Sequence, residues 1–397
     1  MLSVQAFSLA RLVHLAAAWA KLPDKHLTKR IKRNISCMQS CRTGQKSTGR
    51  AAALRACQAK LNTFHHPLFQ SMGEKELPGV LISEVGGTFG VLESHVEFLK
   101  KHFSIIPMKE FHKNKEKLRE QITSIFIFER RPLIDRELLE NLPKLKVVGN
   151  SGVGVNHLDL KLISSFGVKV TNTPHAVSDS TADIGMALML ASARRLVEGC
   201  CIATSPHTKD FAVDWLGTEV TRATLGIIGM GNIGYKVAKR AKAFDMTILY
   251  HNRNRRKEEE QAVGAIYCEN IEDLLQQSDF VMLVVNLTPE THKLIGKREL
   301  GLMKPTATLI NISRGAVVDQ DALVMALQNG IIRAAALDVT DPEPLPRDHL
   351  LLQLKNVIIT PHIGTATEQA LRMMTEEAVE NILAVLNGLP IPSEVIP

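Results

Sequence analysis

From residue 78 onward, short apolar runs alternate with amphipathic stretches. GVLISEV (79–85), SIFIF (124–128), KLKVVGN (144–150) and GVKVTN (167–172) read as strands, and VLESHVEFLKKH (91–102) as a helix. A second series starts near Ala223, where TLGII, MTILYHN, DFVMLVVN, ATLINIS, AAALDV and NVIITPHIG each have the unbroken apolar character of a buried strand. Repetition of this kind predicts parallel sheets with right-handed crossovers in an α/β chain. STADIGMALMLASARRLVEG (180–199) predicts one long helix, started by Ser180 or Asp179 and ended by Gly199. Its apolar residues cover more than one stripe, which predicts burial between domains. DQDALVMALQNG predicts a helix with Asp319 at its start and Gly330 past its end. TATEQALRMMTEEAVENILAVLNGLP predicts a final helix of about six to seven turns that returns to pack on the first domain.

Composition divides the chain unevenly. Residues 1–73 carry twelve Lys or Arg and a single acid, Asp24, whereas the remainder has 36 basic and 40 acidic side chains. The net charge of +7 therefore belongs to the N-terminal segment, and the body is mildly acidic. That segment holds no nucleic-acid-binding module, so no nucleic-acid partner is expected. Its apolar stretch is interrupted by Arg11 and is too short to span a bilayer, so no membrane partner is expected. Residues 1–75 are expected to be a basic, disordered leader, with a second possible start at Met72 and a mitochondrial transit peptide as the alternative reading. The six cysteines (Cys37, Cys41, Cys57, Cys200, Cys201 and Cys268) form no C-x-x-C pair and no ligand-like spacing with histidine. Neither a disulfide framework nor a metal site is expected, and free thiols suit a reducing compartment, the cytosol being favoured.

Chemistry concentrates after residue 223. Gly229, Gly231 and Gly234 form G-M-G-N-I-G between the strand TLGII and a helix. The first glycine permits the turn, the second lets a pyrophosphate approach the backbone, and the third permits close helix–strand packing. Phosphate would sit at the helix N-terminus, near Asn232 and Ile233. The following strand ends in His251, 22 residues after Gly229, where an acid would hold the ribose hydroxyls of NAD. Asn252, Arg253, Arg255 and Arg256 follow. Without the acid a 2′-phosphate is not repelled, and Arg253, helped by Arg255 or Arg256, can pair with it. The strand thus favours NADPH over NADH.

Three ionisable residues stand at or near the ends of later strands: Arg314, Glu343 and His362. In a doubly wound sheet the carboxyl ends share one crevice. A guanidinium can hold a carboxylate and polarise an adjacent carbonyl. A histidine can give a proton to a developing alkoxide, and a carboxylate beside it would orient the ring. Beside a nicotinamide, the natural reaction is hydride transfer to a 2-keto acid.

GMGNIG, NISRGAVVDQDAL, LDVTDPEP and PHIG, in that order, resemble the D-isomer-specific 2-hydroxyacid dehydrogenases, over residue 78 to the end. Within that family HNRNRR and NISRG look most like the NADP-using glyoxylate/hydroxypyruvate reductases. The resemblance implies two doubly wound parallel-sheet domains, with a Rossmann nucleotide-binding domain (175–362) inserted in a flavodoxin-like substrate domain (76–174 and 363–397). It implies that Arg314 binds the substrate carboxylate and carbonyl, that Glu343 partners His362 as proton donor, and that Asp338 lies by the nicotinamide, with Ser313 and Gly364 in the cofactor site. Backbone amides of Val153 and Gly154, in NSGVGVNHLD, would receive the carboxylate. A homodimer is implied as well. Asn156 stands where relatives often carry an acid, and Glu343 stands where formate dehydrogenases carry Gln, which argues against formate. A reductase of sugar-derived acids such as 2-ketogluconate, and a cofactor-sensing corepressor-like binding protein, remain the alternatives.

Overall fold

The computed structural model describes residues 76–397, apart from residues 209, 211 and 213. Expectations for residues 1–75 lie outside the described residues. Two parallel sheets carry the chain. The first is built from β1 (Gly79–Ile82), β2 (Ser104–Pro107), β3 (Ile122–Ile127), β4 (Val147–Asn150) and β5 (Lys169–Thr171), with the short β13 (Glu394–Val395). Its order is β13-β5-β4-β3-β1-β2, and only β13 runs antiparallel. The parallel part thus has the 2-1-3-4-5 winding of a flavodoxin-like sheet, in which the order reverses between β1 and β3.

The second sheet holds β6 (Thr224–Ile228), β7 (Thr247–His251), β8 (Ile266–Tyr267), β9 (Phe280–Leu283), β10 (Thr308–Asn311), β11 (Ala334–Leu337) and β12 (Val357–Ile359). Its order is β12-β11-β10-β9-β6-β7-β8, parallel throughout. Here the winding reverses between β6 and β9, and the glycine turn lies directly beyond β6. This is the Rossmann arrangement, with helices covering both faces. β1, β4, β9, β10 and β11 are buried along their whole length, as their unbroken apolar runs require, whereas β12, at an edge, is only half-buried.

The predicted long helix is two. Ser178–Ala193 and Leu196–Thr204 are separated by Arg195, whose φ of 51° lies in the left-handed region. Gly199 sits inside the second helix rather than ending the first. Neither predicted start residue caps. The helix begins at Ser178, so both lie inside its first turn: Ser180 Oγ donates back to the Val177 carbonyl at 3.2 Å, and the Asp179 carboxylate pairs with Lys236 and Arg240. Ala182, Met186, Met189 and Ala193 pack with Leu225, Ile227 and Ile310, so the first helix covers the second sheet rather than filling a gap between domains.

The C-terminal helix, Glu368–Leu386, has nineteen residues, about five turns rather than six or seven. It starts late because Thr367 Oγ1 caps it, accepting from Ala370 N at 3.1 Å. As expected, it returns to the first sheet, where Ala378, Val379 and Ile382 pack with Val80, Phe126 and Val147. Gly149 in β4 makes that approach possible, since a Cβ there would stand 2.6 Å from Ile382. The helix Gln320–Gln328 has the predicted Asp319 cap and Gly330 at φ 65°. Strands β2, β8 and β13 are too short or too polar to have been distinguished by pattern.

Candidate active site

The glycine turn does what its three positions require. Gly229 takes φ 109°, and a Cβ at Gly234 would collide with the Gly229 carbonyl. A Cβ at Gly231 would meet nothing within 4 Å, so open space faces the turn where a pyrophosphate would lie. The helix Asn232–Lys242 begins at Gly231 without a side-chain cap, leaving its first N–H groups available to an anion. The residues present therefore fit a dinucleotide.

Beyond β7 the basic residues separate. His251 Nδ1 lies 3.1 Å from the Cys268 carbonyl; a carbonyl only accepts, so Nδ1 carries the proton in that contact. Asn252 is a latch: its Oδ1 accepts from Met230 N at 3.2 Å and its Nδ2 donates to Asn254 O at 2.7 Å. Arg255 is engaged. It binds Glu260 through two hydrogen bonds of 2.9 and 2.7 Å and lies 5.2 Å over the Tyr267 ring. Its hydrogen bonds, with one from Tyr250 Oη, hold the Glu260 carboxyl down at about 2. Arg256 pairs with Glu259. Arg253, exposed, makes no hydrogen bond or ion pair among the described residues, and its charge helps lower Glu290. Of the two arginines placed in the cofactor site, then, only Arg253 is uncommitted.

Farther along the same sheet, the three strand-end residues approach one another. Asn311 closes β10 and shapes the next turn: its Oδ1 accepts from Ser313 N and Oγ at 3.0 and 2.7 Å, and its Nδ2 donates to Arg314 O at 2.9 Å. The Ser313 hydroxyl is thus directed at Asn311. Gly315 lets this turn press on the next loop, because a Cβ there would overlap the Thr340 backbone. Beyond β11, the buried Asp338 ties the loop after β12, accepting from Thr360 Oγ1 at 2.6 Å, Ile363 N at 2.9 Å and Gly364 N at 2.8 Å. That loop carries His362 at φ 55°, with its N–H on the Asp338 carbonyl at 2.8 Å.

His362 Nδ1 stands 3.0 Å from Glu343 Oε2. The other carboxylate oxygen of Glu343 accepts from Thr340 N at 3.1 Å. Burial alone would raise the Glu343 carboxyl, but His362, Arg130 and the Thr340 N–H together hold it down at about 2. Glu343 is therefore held as a carboxylate against the His362 ring.

Arg314 crosses to the first sheet. Its Nε donates to Asn156 Oδ1 at 3.1 Å and its Nη1 to Ser313 O at 2.7 Å. Burial and then the charge of Arg130 lower its proton affinity, while Glu343 opposes them. The loop it meets, beyond β4, is folded by amides: Asn150 Nδ2 donates to Gly152 O at 2.9 Å and Gly154 O at 3.2 Å, and Asn172 Nδ2 to Val153 O at 2.8 Å. The N–H groups of Val153 and Gly154 take no acceptor among the described residues. Beside an arginine, two such donors make a receptor for a carboxylate.

Two residues not foreseen complete the cluster. Arg130, beyond β3, donates to Glu343 Oε2 at 2.8 Å. The crevice rule would have found it, since charged residues follow SIFIF directly, had it been applied to both sheets. His157 lies near both arginines; burial first, then Arg130 and Arg314, push its ring down to about 4, so it is neutral. No sequence signal marks it. Among the described residues no group of three or more His, Cys, Asp and Glu is arranged to hold a metal ion.

A Rossmann sheet joined to a flavodoxin-like sheet, with a histidine–carboxylate pair and an arginine gathered at the strand ends, defines a dinucleotide-dependent oxidoreductase. Residues 186–364 match the D-isomer specific 2-hydroxyacid dehydrogenase, NAD binding domain. The glyoxylate reductase of Thermococcus litoralis is 47% identical over 260 residues, covering 64% of this chain and 78% of that protein. The glyoxylate/hydroxypyruvate reductase B of Enterobacter sp. strain 638 is 42% identical over 296 residues, covering 73% and 90%. The NADPH-dependent glyoxylate/hydroxypyruvate reductase of Sinorhizobium meliloti, in complex with NADP and malonate, superposes with a TM-score of 0.69 at 28% identity, over 80% of this chain and 96% of that one. The chain belongs to the D-isomer specific 2-hydroxyacid dehydrogenase family. It is an oxidoreductase with a nicotinamide-cofactor domain.

Proposed function

We propose that this protein reduces a small 2-keto acid of the glyoxylate and hydroxypyruvate class to the D-2-hydroxy acid, using NADPH, with His362 as the proton donor. The observation that carries the reading is the His362 Nδ1–Glu343 Oε2 contact of 3.0 Å, which turns Nε2, the ring's other nitrogen, away from the carboxylate. Arg314 and the free N–H groups of Val153 and Gly154 would hold the substrate carboxylate, so that its 2-keto oxygen faces that nitrogen. A bound nicotinamide supplies the hydride. As negative charge grows on the oxygen, Arg314 stabilises it and His362 Nε2 delivers the proton, leaving a neutral ring whose Nδ1–H stays on the ring and hydrogen-bonds to Glu343. The likeness to glyoxylate and glyoxylate/hydroxypyruvate reductases supports the substrate class.

NADPH is favoured because His251 presents no carboxylate to repel a 2′-phosphate and Arg253 is free to pair with it. Asn232 and Ile233 would receive the pyrophosphate, and Asp338 and Gly364 would border the nicotinamide. Residues 76–174 with 363–397 form the substrate lobe in this reading, and 175–362 the nucleotide lobe. A homodimer is supported by the helix Leu196–Thr204, which has no buried residue although Leu196 and Val197 are apolar and 57% and 52% exposed. The cytosol is the proposed compartment.

Initial rates with NADPH and NADH, each against glyoxylate and hydroxypyruvate, test the reading. Turnover with a clear NADPH preference is expected. NADH preference would remove the role given to Arg253, and turnover of larger keto acids alone would replace the substrate class.

A further inference from the structure

Glu129 and Arg130 follow β3 at φ 49° and 60°, both in the left-handed region that favours glycine. They are the centre of a tight turn closed by Phe128 and Arg131, whose backbone groups exchange hydrogen bonds of 3.0 and 2.9 Å. Two consecutive non-glycine residues held there are strained, and such strain persists where the surroundings enforce it. What it achieves is the aim of the Arg130 side chain. Arg130 Nη2 stands 2.8 Å from Glu343 Oε2 and 3.3 Å from His362 Nδ1.

The three atoms cannot all be satisfied together. Nδ1 either donates to Glu343 or accepts from Arg130. Whenever Nδ1 carries its proton, as it does in the proton-donating ring, the Arg130 N–H serves Glu343 alone. Its positive charge then lies close to the ring with no hydrogen bond to compensate. We propose that Arg130 is a positioning residue that holds the Glu343 carboxylate and offsets part of its charge, and so sets how tightly the His362 ring keeps its proton. This rests on the reading of His362 as proton donor.

The other groups facing the ring do not substitute for it. Asp338 binds the backbone of the His362 loop. Arg314 is turned to Asn156 and Ser313. His157 is neutral, pushed to about 4. Arg130 is the cation in direct contact with the pair, and a partly exposed one, so its effect is moderated by solvent.

The test is an NMR titration of the His362 ring in the full chain, its signal assigned as the one lost in His362→Gln. In Arg130→Met the midpoint should rise by roughly one unit, because a cation beside an imidazolium disfavours it. Arg130→Gln should act in the same direction, and Arg130→Lys should stay near the parent. The alkaline limb of kcat/KM for keto-acid reduction should move by the same amount. An unmoved midpoint in both Met and Gln variants would overturn the proposal, as would an equal rise in the Lys variant. Absence of keto-acid turnover in the parent chain would count against the reductase reading alone, since the titration needs no turnover.

Discussion

Gly154 and Arg314 occupy each other's space: a Cβ on Gly154 would overlap the Arg314 guanidinium. The loop beyond β4 thus gives up a side chain so that an arginine from the other sheet can lie against its backbone. Gly154→Ala should force the guanidinium away from its hydrogen bond to Asn156 and from the free amides. A displacement of this kind should lower kcat/KM for keto acids by roughly a hundredfold. Thermal unfolding should barely change, because the loop is half-buried and outside the core. Steady-state kinetics alongside calorimetry would check it, and unchanged kcat/KM would separate Arg314 from the substrate.

His362→Gln should remove the proton donor and leave the nucleotide site intact. A loss of about 10²–10⁴-fold in kcat is expected for a general acid, with NADPH affinity by fluorescence within about twofold of the parent. If cofactor affinity fell in step with kcat, the ring would be a nucleotide contact rather than a proton donor.

Arg253 and Arg255 stand two residues apart and should behave differently. Arg253→Ala should weaken NADPH by roughly tenfold or more, the worth of a charge-assisted contact to phosphate, and leave NADH unaffected. Arg255→Ala should leave the NADPH:NADH ratio nearly unchanged, since that side chain is bound to Glu260. Titration of each variant with both cofactors distinguishes them, and the reverse pattern would mean that Arg255 exchanges Glu260 for the cofactor.

His157 predicts the direction of the acid response. Its ring titrates at about 4 in the fold against 6.5 ordinarily, so between these values the unfolded chain binds the extra proton. Stability therefore falls as pH drops from 6.5 towards 4, by at most about 3 kcal/mol before solvent screening reduces it. Glu343, held at about 2 against 4.5 ordinarily, contributes stability that is lost as pH falls from about 4.5 towards 2. Chemical denaturation from pH 7 to 4 should show a slope that His157→Asn flattens; an equal slope in the variant would exclude His157 as its source.

Much of the site could be read locally. The glycine turn, the strand it follows and the strand-end positions of Arg314, Glu343 and His362 obey short-range rules: apolar period, turn chemistry, and the common crevice of a parallel sheet. The same rules placed the Asp319 cap. They failed at the helix that starts at Ser178, ahead of both expected caps, with Asp179 inside its first turn and paired to Lys236 and Arg240, and in HNRNRR, where Arg255 looks as free as Arg253 until Glu260 is seen to bind it.

What the sequence alone determined, then, is the two-sheet α/β plan and the chemical identity of the strand-end groups, because each depends on neighbours within a few residues. Only the tertiary structure decided which of those groups meet across the sheets. Arg130 reaches Glu343 across 213 residues, and Arg314 reaches Asn156 across 158. Contacts of that span depend on how two independently wound sheets face one another, and no local period encodes that.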